Sequence, residues 1–434
     1  MPINKKIIKQ LVYGLCLTAL SNLAFAAGFQ VNTNSDFDLA SASPGACISP
    51  GVPCSVRAAV ELANQTPGFD TVYILATTHY LSIESLITIS DSLAIRGINK
   101  TTSKIRPDPG LDIGIFEITN QAFASMSNLT LSHAYAKQGA GTTGAIYVTP
   151  DATLYASDIN LIQNVAWGHL GPGILNDGGY VSLHKLYAKD NGMAPGLFDY
   201  PNVYGRNRGG VIATIGEGAE TWIDRSTFEN SDAMWGGAVY MSTTHSEDGG
   251  LPDNITVIKN SSFINNITTN DGAGGAILSG GSDLYIVNSN IDGPVGNLSL
   301  PAPIYTVGNN ATMVGGSVLS GYKGNFCSSE PGSFFVSMGG NVLDSLGSSD
   351  CLFITNNDVV GTKNLKEVFQ QTISSPSGSF TPTVKPNTVL PWTGTGSSSA
   401  WFTTSLSWIW GCPSVDQTGY SRSANCDSGP YEDR

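Results

Sequence analysis

A phrase of small residues followed by an aliphatic strand recurs through the middle of this chain. Five copies occupy Gly144–Tyr147, Gly173–Leu175, Gly209–Ile212, Gly236–Tyr240 and Gly274–Leu278. Their aliphatic anchors are 28, 38, 27 and 38 residues apart, at Ile146, Ile174, Ile212, Val239 and Ile277. The period is therefore near 28 residues, with about ten inserted residues in two of the four intervals. Repetition at this length indicates stacked units rather than one globular core.

Short strands separated by Gly, Asn, Asp or Ser fill the rest of the repeat. Early strands are expected at 29–31, 72–74, 86–89, 93–95, 113–118 and 126–131, and a second strand follows each phrase, at 158–161, 184–187, 225–228, 260–263 and 288–291. Asn residues between strands are expected to form corners, because Asn tolerates the left-handed region. Residues 70–360 lack the 3.6-residue period of crossover helices.

This pattern predicts an all-β fold, a single-stranded right-handed parallel β-helix (a solenoid) whose bore is filled by a column of aliphatic side chains. A multi-blade propeller stays open as the structural alternative, although one blade needs four strands and about 40 residues.

The two ends of the chain depart from the repeat. Ser55 is placed to cap a helix over 56–64, whose Val56, Ala59, Val60 and Ala63 fall on one face. Such a helix would cover the N-terminal end of the solenoid, where an unpaired strand edge invites aggregation. Residues 376–410 carry four of the seven tryptophans and predict a loop-rich cap. These tryptophans either bury the last rung or form a sugar platform.

The first 26 residues have the organisation of a cleaved signal peptide. Three lysines precede an apolar stretch over 11–20, and Ala24–Ala26 forms a small-x-small cleavage site. Removing Lys5, Lys6 and Lys9 from the 21 basic residues leaves 18 against 34 acidic ones, a net charge of −16. That charge disfavours nucleic acid and anionic membranes as partners. No second apolar run is long enough to span a bilayer.

Four segments follow from these patterns. We assign residues 1–26 to the signal peptide, 27–70 to an N-terminal strand and capping helix, 71–375 to the parallel β-helix and 376–434 to a C-terminal cap.

Six cysteines remain after the leader, and an even number in an exported chain indicates disulfides. Sequence neighbours suggest the pairs Cys47–Cys54, Cys327–Cys351 and Cys412–Cys426, one of 15 connectivities. A zinc site is the competing interpretation, but no Cys-x-x-Cys pair occurs and no His lies at ligand spacing.

Three segments resemble known families. Cys54–Val60, preceded by Cys47, resembles the Cys-Ser-Leu-Arg-Glu-Ala-Ile segment of exported bacterial β-helix proteins, the CSLREA group, with Ala58 in place of the family's Glu. Residues 416–432 resemble the closing motif of the choice-of-anchor Q domain. The Gly-Gly-Ala phrases, with residues 263–266, are similar to the repeats of polymorphic outer-membrane proteins.

This resemblance implies an exported right-handed parallel β-helix that is often surface-associated and mostly without an established activity. We expect an extracellular location or a cell-surface, outer-membrane-associated one, with the periplasm as an alternative. Release of the chain or attachment through another protein is expected, as is a monomer.

Parallel β-helices often host polysaccharide lyases and hydrolases, so the carboxylates of the repeat are examined for catalysis. Trp222–Arg225 resembles part of the Trp-Ile-Asp-His signature of pectate lyases, with Arg225 in place of His, but the partner Arg-x-Pro-x-x-Arg motif is absent. With the neighbouring acids it gives the catalytic candidates Asp224, Arg225, Glu229 and Asp232. The alternative interpretation is one more strand of the repeat.

Calcium enters only under the lyase hypothesis, and we otherwise expect no metal and no cofactor. His184, inside a second strand, is expected to be solvated and to face outward.

The two inserts fall at 194–208 and 243–253, and loops on a rigid scaffold often carry binding. The second is acidic, and the two are expected to leave different corners because they follow different strands. The first holds aromatic and basic residues suited to a glycan or protein partner, Phe198, Tyr200, Tyr204, Arg206 and Arg208. Tolerated surface insertion is the alternative.

The leading functional hypothesis is a non-enzymatic secreted or cell-surface binding protein, adhesin-like, that recognises a glycan or a protein. The alternative is a polysaccharide lyase or glycoside hydrolase of pectate-lyase-like type. A cluster of carboxylates, or carboxylates with Arg, on one outer face would favour the enzyme. A purely structural spacer is the third hypothesis.

Overall fold

The computed structural model describes most of the chain between residues 26 and 343 and a few segments beyond. The described residues are 26–43, 45–136, 144–166, 170–192, 208–242, 254–268, 273–292, 302–308, 310–320, 326–343, 358–360, 369–374, 383–386, Ser414, Gln417 and Ser421. The predicted leader up to residue 25 and the tryptophans of 392–410 lie outside these ranges.

Three long parallel sheets wind around one bore. Sheet A contains β1 (Gly28–Gln30), β2 (Asp70–Ile74), β5 (Leu93–Gly97), β8 (Phe123–Ser127), β12 (Thr153–Ser157), β16 (Tyr180–His184), β19 (Glu220–Asp224), β23 (Ile255–Lys259), β27 (Asp283–Val287), β30 (Ala311–Gly315) and β33 (Phe334–Ser337). Sheet B contains β3 (Thr78–Leu81), β6 (Lys104–Pro107), β9 (Thr130–Ser132), β13 (Asn160–Ile162), β17 (Tyr187–Lys189), β20 (Thr227–Glu229), β24 (Ser262–Ile264), β28 (Asn290–Asp292), β31 (Val318–Ser320), β34 (Val342–Leu343) and β35 (Val359–Val360). Sheet C contains β4 (Ile87–Ile89), β7 (Phe116–Ile118), β11 (Ile146–Val148), β15 (Ile174–Asp177), β18 (Ile212–Ile215), β22 (Val239–Ser242), β26 (Ile277–Gly280), β29 (Ile304–Val307) and β32 (Cys327–Ser329).

The chain passes from sheet A to B to C, and each strand pairs in parallel with its counterpart in the next rung. The fold is therefore a right-handed parallel β-helix, as predicted, and not a propeller. Short parallel pairs join β10 (Tyr135–Ala136) to β14 (Val165–Ala166) and β21 (Asp232–Ala233) to β25 (Ile267–Thr268). The strands β36 (Phe369–Ser374) and β37 (Thr383–Pro386) form an antiparallel pair across the expected boundary at residue 375.

The aliphatic anchors of the repeat stack in register, which confirms the period. Along sheet C the pairing runs through Ile146, Ile174, Ile212, Val239 and Ile277. A second column crosses sheet B, where the stacked rings of Phe228 and Phe263 lie 4.6 Å apart. These side chains are fully buried, and each contributes about 1.5–3 kcal/mol through removal from water.

The Gly-Gly pairs of the phrase meet two steric conditions where the chain enters sheet C. The first glycine has a φ of 70, 65 or 70°, at Gly209, Gly236 and Gly274, a conformation that L side chains rarely adopt. The second has no room for a side chain, because a Cβ at Gly210 would lie 1.9 Å from the carbonyl oxygen of Gly237 in the next rung.

The corner between sheets A and B holds one left-handed residue in successive rungs. Their φ values run from 46 to 56°, at Asn128, Asp158, Lys185, Arg225, Asn260 and Asn288. Asn128, Asn260 and Asn288 confirm the expected role of Asn at corners. The last four of these residues precede a turn that in later rungs is followed by buried serines, at Ser226, Ser261, Ser289 and Ser317.

The N-terminal end is covered by helix α1 (Val56–Gln65), close to the predicted 56–64. The Ser55 hydroxyl accepts the N–H of Ala58 at 3.0 Å, and the predicted apolar face is buried. Arg57, the arginine of the CSLREA-like segment, is buried in a two-pronged pair with Asp36 at 3.0 and 3.1 Å. It also donates to the Ser85 carbonyl at 3.0 Å, so this arginine ties the helix to the first rung.

The Cys47–Cys54 disulfide is present as predicted. Cys327 is also disulfide-bonded, while its expected partner Cys351 lies outside the described residues, as do Cys412 and Cys426.

Two strand predictions were wrong in extent. Residues 126–131 form no single strand, because the left-handed corner at Asn128 separates β8 from β9. Hydrophobic residues alternate across that corner, since Met126 and Leu131 both face the bore from different sheets. In 113–118 the strand begins only at Phe116. Across the described part of the chain, no helix has the length and apolar character required to cross a bilayer.

Candidate functional site

The outer face of sheet A carries most of the chemistry that the described strands expose. Alternate residues of each strand face away from the bore, so the pairing lines them up in columns. One column runs Phe123, Thr153, Tyr180, Glu220 and Ile255. The next runs Ser125, Tyr155, Ser182, Trp222, Val257 and Tyr285. The last runs Tyr73, Arg96, Ser127, Ser157, His184, Asp224 and Lys259.

Four aromatic rings form a continuous row on this face, which we call the aromatic row: Phe69, Phe123, Tyr155 and Tyr180. Successive ring centroids are 5.7, 5.2 and 5.6 Å apart, with tilted planes. Phe69 and Tyr155 are each 42% exposed, so the row is accessible from solvent. Burial, and then the neighbouring Tyr155 and Glu220, raise the pKa of Tyr180, which keeps its hydroxyl protonated.

The edge of this face toward sheet B is charged. We define the edge strip as the last outward residue of each strand from β5 to β23 together with the corner residue after it. It contains four basic residues, Arg96, Lys185, Arg225 and Lys259, against two acidic ones, Asp158 and Asp224. The strip is thus locally positive on a chain whose formal net charge is −13.

His184, Asp224 and Arg225 form a contiguous cluster in the middle of the edge strip. The imidazole Nδ1 of His184 lies 3.0 Å from Asp224 Oδ2, and Arg225 Nη2 contacts His184 Nε2. Arginine can only donate, so Nε2 is the acceptor and Nδ1–H donates to Asp224. The cluster therefore fixes one neutral imidazole tautomer. About a third of each of the His184 and Asp224 side chains is exposed, at 34% and 38%, and 18% of Arg225.

Asp224 is held ionised by its donors. Burial raises its pKa, but hydrogen bonds from His184 and from the buried Asn260 at 3.1 Å outweigh burial, so the pKa lies below its ordinary value. The next residue in the column, Lys259, lies over the Trp222 ring, with Nζ 5.9 Å from the centroid. Burial lowers the pKa of Lys259, and the charge of Asp224 opposes that shift.

Asp158, the other acid of the edge strip, lies between two lysines. Its carboxylate oxygens are each 3.9 Å from an ammonium nitrogen, of Lys100 and of Lys185. Lys100 is only 5% exposed, and burial lowers its pKa despite the attraction of Asp158. The negative charge of Asp158 is therefore offset locally, which leaves the strip positive.

The four catalytic candidates do not converge on one site. Asp224 and Arg225 belong to the cluster on sheet A. Glu229 lies on sheet B, where Tyr187 donates to it at 2.6 Å and Lys189 at 3.2 Å. Asp232 lies in the short strand β21. Their closeness in sequence misleads, because the A–B corner turns the chain onto another sheet between Arg225 and Thr227.

The five binding candidates fall mostly outside the described residues, which include only Arg208. The Arg208 guanidinium stacks on Trp235 with its carbon 4.4 Å from the ring centroid, and donates to the Tyr240 hydroxyl at 2.9 Å. It is therefore engaged within the chain. The strands that flank the inserts confirm their different corners, since 194–208 joins sheets B and C and 243–253 joins C and A.

The cluster around His184 was missed because its partners are 40 residues apart, across the first insert. The outward position predicted for His184 is observed, but solvent alone does not surround it. A signal was present: His184 and Asp224 hold the same place relative to their aliphatic anchors once the insert is removed. In the described residues, no group of three His, Cys, Asp or Glu side chains could hold a metal ion.

Comparison with known proteins gives no family. No protein-family model and no curated protein matches the chain. The crystal structure of pectate lyase Pel9A aligns over 95% of this chain and 98% of its own, at 12% identity and a TM-score of 0.48. The A-modules of the mannuronan C-5 epimerases AlgE4 and AlgE6 of Azotobacter vinelandii each align over 76% of this chain, and over 98% and 99% of their own. Their identities are 11% and 12% and their TM-scores 0.39 and 0.25.

Proposed function

We propose that this protein is an exported, non-enzymatic binding protein of the CSLREA and choice-of-anchor Q type, and that a polysaccharide lies across the outer face of its sheet A. The observation that carries the proposal is the aromatic row beside a charged edge on one rigid surface. Each element of that surface is fixed by a strand, so the surface is formed before ligand arrives and little ordering entropy opposes binding.

The aromatic row suits sugar rings. An aromatic face carries partial negative charge and meets the slightly positive C–H faces of a pyranose, while the tyrosine hydroxyls offer hydrogen bonds. The rings lie on neighbouring strands and run along the solenoid axis, so the face extends over several sugar units. A polymer rather than a monosaccharide is the ligand that uses its whole length.

Export of the chain is supported by its disulfides. Cys47–Cys54 and the bond of Cys327 lie in the described residues, and disulfides persist in oxidising compartments. We propose an extracellular or cell-surface location for the monomeric mature chain, reached through the leader at 1–26.

The test is binding by the chain from Ala27 onward to immobilised polysaccharides, compared with Tyr155→Ala and Tyr180→Ala. Tyr80→Ala is the matched control, since Tyr80 is also exposed but lies on sheet B. Loss of one stacking ring should weaken binding about tenfold, equivalent to about 1.4 kcal/mol. The control should bind as the unchanged chain does. Equal losses in all three variants, or no binding to any polymer, would refute the proposal.

A second candidate function is supported by the His184 cluster. An imidazole with Nδ1–H held by a carboxylate and Nε2 toward solvent is the arrangement of a general base, and a lyase needs such a base. The check is incubation with acidic and neutral polysaccharides, with and without calcium, while unsaturated products and new reducing ends are followed. Products that disappear in His184→Gln would replace the binding protein with a lyase. Intact polymer supports the binding protein.

A further inference from the structure

We propose that the ligand of the sheet A face is an anionic polysaccharide, one that carries carboxylate groups, and that Arg225 recognises a carboxylate by exchanging His184 for the ligand. This inference rests on the proposed function, because it names the chemical class that the same face binds.

The first argument is the distribution of charge. The whole chain is acidic, with a formal net charge of −13, yet the edge strip has four basic residues against two acidic ones. Both acids lie against donors of the strip itself, Asp158 between two lysines and Asp224 against His184. Acidic residues elsewhere on the surface are screened, since the Debye length is about 8 Å at physiological salt. A polyanion at the edge strip therefore meets mainly the local positive charge.

The second argument is spacing. Lys185 and Arg225 follow paired strands at equivalent corner positions, and Lys259 ends the next strand in the same sheet. Neighbouring strands are about 4.8 Å apart, a distance comparable to the length of one sugar unit. A chain that lies along the solenoid axis can thus bring the charged group of successive units to successive rungs, while its ring faces lie on the aromatic row.

The third argument is the present partner of Arg225. Its Nη2 donates to a neutral imidazole nitrogen, and its Nε lies 3.4 Å from Asp224 Oδ2. A carboxylate can accept two parallel, charge-assisted hydrogen bonds from the guanidinium fork, and such bonds are about twice as strong as neutral ones. The ligand therefore competes favourably with His184 for this group. His184 stays in place on Asp224, and its Nε2 loses the arginine.

The fold supplies a conservative variant for the test. Asn occupies the corner equivalent to Arg225 at Asn128, Asn260 and Asn288, so Arg225→Asn removes the charge with a residue that this corner already accepts. Lys104→Gln serves as the control, because Lys104 is a basic residue on sheet B.

Binding to a polyuronate such as polygalacturonate, to a sulfated polysaccharide and to neutral amylose is measured for the unchanged chain and both variants. We expect the polyuronate to bind most tightly and Arg225→Asn to weaken it about tenfold, the loss expected for one charged hydrogen-bonding partner. Amylose binding should not change, and Lys104→Gln should match the unchanged chain. Added salt should weaken polyuronate binding less in Arg225→Asn.

Three results would overturn the inference while the proposed function stands. They are equal binding of amylose and polyuronate, polyuronate binding that Arg225→Asn leaves intact, or a sulfated polymer that binds as tightly as the polyuronate. Absence of binding to all three polymers would instead overturn the proposed function.

The exchange step has its own readout. The chain has five histidines, so their imidazole nitrogens can be resolved by NMR and the His184 signals assigned from their loss in His184→Gln. Saturation with polyuronate should shift the Nε2 signal of His184 and leave the Nδ1–H on Asp224. An unmoved Nε2 signal at saturation would mean that Arg225 keeps its present partner, contrary to the inference.

Discussion

At the corner between sheets A and B, each rung holds a residue in the left-handed conformation and leaves its side chain outside the bore. The positions have Asn, Asp, Lys and Arg, at Asn128, Asp158, Lys185, Arg225, Asn260 and Asn288. The backbone there tolerates several polar residues, so charge can be placed at a corner without changing the rung. Arg225 thus belongs to the scaffold through its backbone and to the candidate site through its side chain.

The backbone role of Arg225 predicts a difference between two substitutions. Arg225→Val should lower the free energy of unfolding by about 1–3 kcal/mol relative to Arg225→Asn, because a β-branched residue is strained at a φ of 50°. Urea denaturation of both variants measures this difference. Equal unfolding midpoints would show that the corner does not impose the left-handed conformation in solution.

Asp224 predicts a contribution to acid stability. Hydrogen bonds from His184 and Asn260 hold its pKa below the ordinary 3.8. The stabilisation is therefore present above pH 3.8 and is lost as the pH falls through the lower value in the folded chain. Below pH 3.8, the unfolding free energy of Asp224→Asn should fall less steeply than that of the unchanged chain. The exposed Glu84→Gln is the control and should retain the original slope; a parallel curve for Asp224→Asn would count against these contacts.

At the scale of elements, the serines after the A–B corner form a ladder that ties rungs together. The Ser261 hydroxyl accepts the N–H of Ser226 at 3.1 Å and donates to the Lys259 carbonyl at 2.6 Å. The Ser261 N–H in turn donates to the Ser289 hydroxyl at 3.2 Å. These groups are buried, so no solvent replaces a missing partner.

Ser261→Ala should consequently cost about 1–3 kcal/mol of stability, since it leaves the buried Ser226 N–H without its acceptor. Thermal and urea unfolding measure the cost. Ser35→Ala, at an exposed position, should change stability by less than about 0.5 kcal/mol. A cost no larger than that of the control would mean that another group accepts the Ser226 N–H.

The elements were predictable wherever a period survived the inserts. Anchors such as Ile174 and Ile212 stack in register although 38 residues separate them, because one aliphatic position per rung must face the bore. The split between β8 and β9 was hidden, since alternation continues through the Asn128 corner. The pairing of His184 with Asp224 was also hidden: outward columns are set by strand register, and an outward side chain has no hydrophobic period to mark it.

At the scale of the whole molecule, the faces of the solenoid differ in what covers them. Gln417, from the segment that resembles the choice-of-anchor Q closing motif, lies on the middle of sheet B and is 3% exposed. Its amide donates to the Ser226 carbonyl and the Thr227 hydroxyl at 2.9 Å, and accepts from the Ser262 hydroxyl at 2.8 Å. It therefore joins strands β20 and β24. The cap predicted for 376–434 otherwise stays a prediction.

Gln417→Ala should lower the free energy of unfolding by about 1–3 kcal/mol, because it leaves buried polar groups of two rungs without partners. Ser414→Ala, at a nearby exposed position, is the matched control and should be close to neutral. Denaturant unfolding compares the two. Identical stabilities would show that Gln417 is not held on sheet B in solution.

The central claim, that a polysaccharide lies on the outer face of sheet A, is tested most directly by hydroxyl-radical footprinting with and without a saturating polymer. The account predicts that oxidation of Phe69 and Tyr155 falls sharply on binding, while that of Tyr80 on sheet B is unchanged, since all three rings are exposed in the chain alone. Protection of Tyr80 with Phe69 and Tyr155 still oxidised would contradict the account and move the binding face to another sheet.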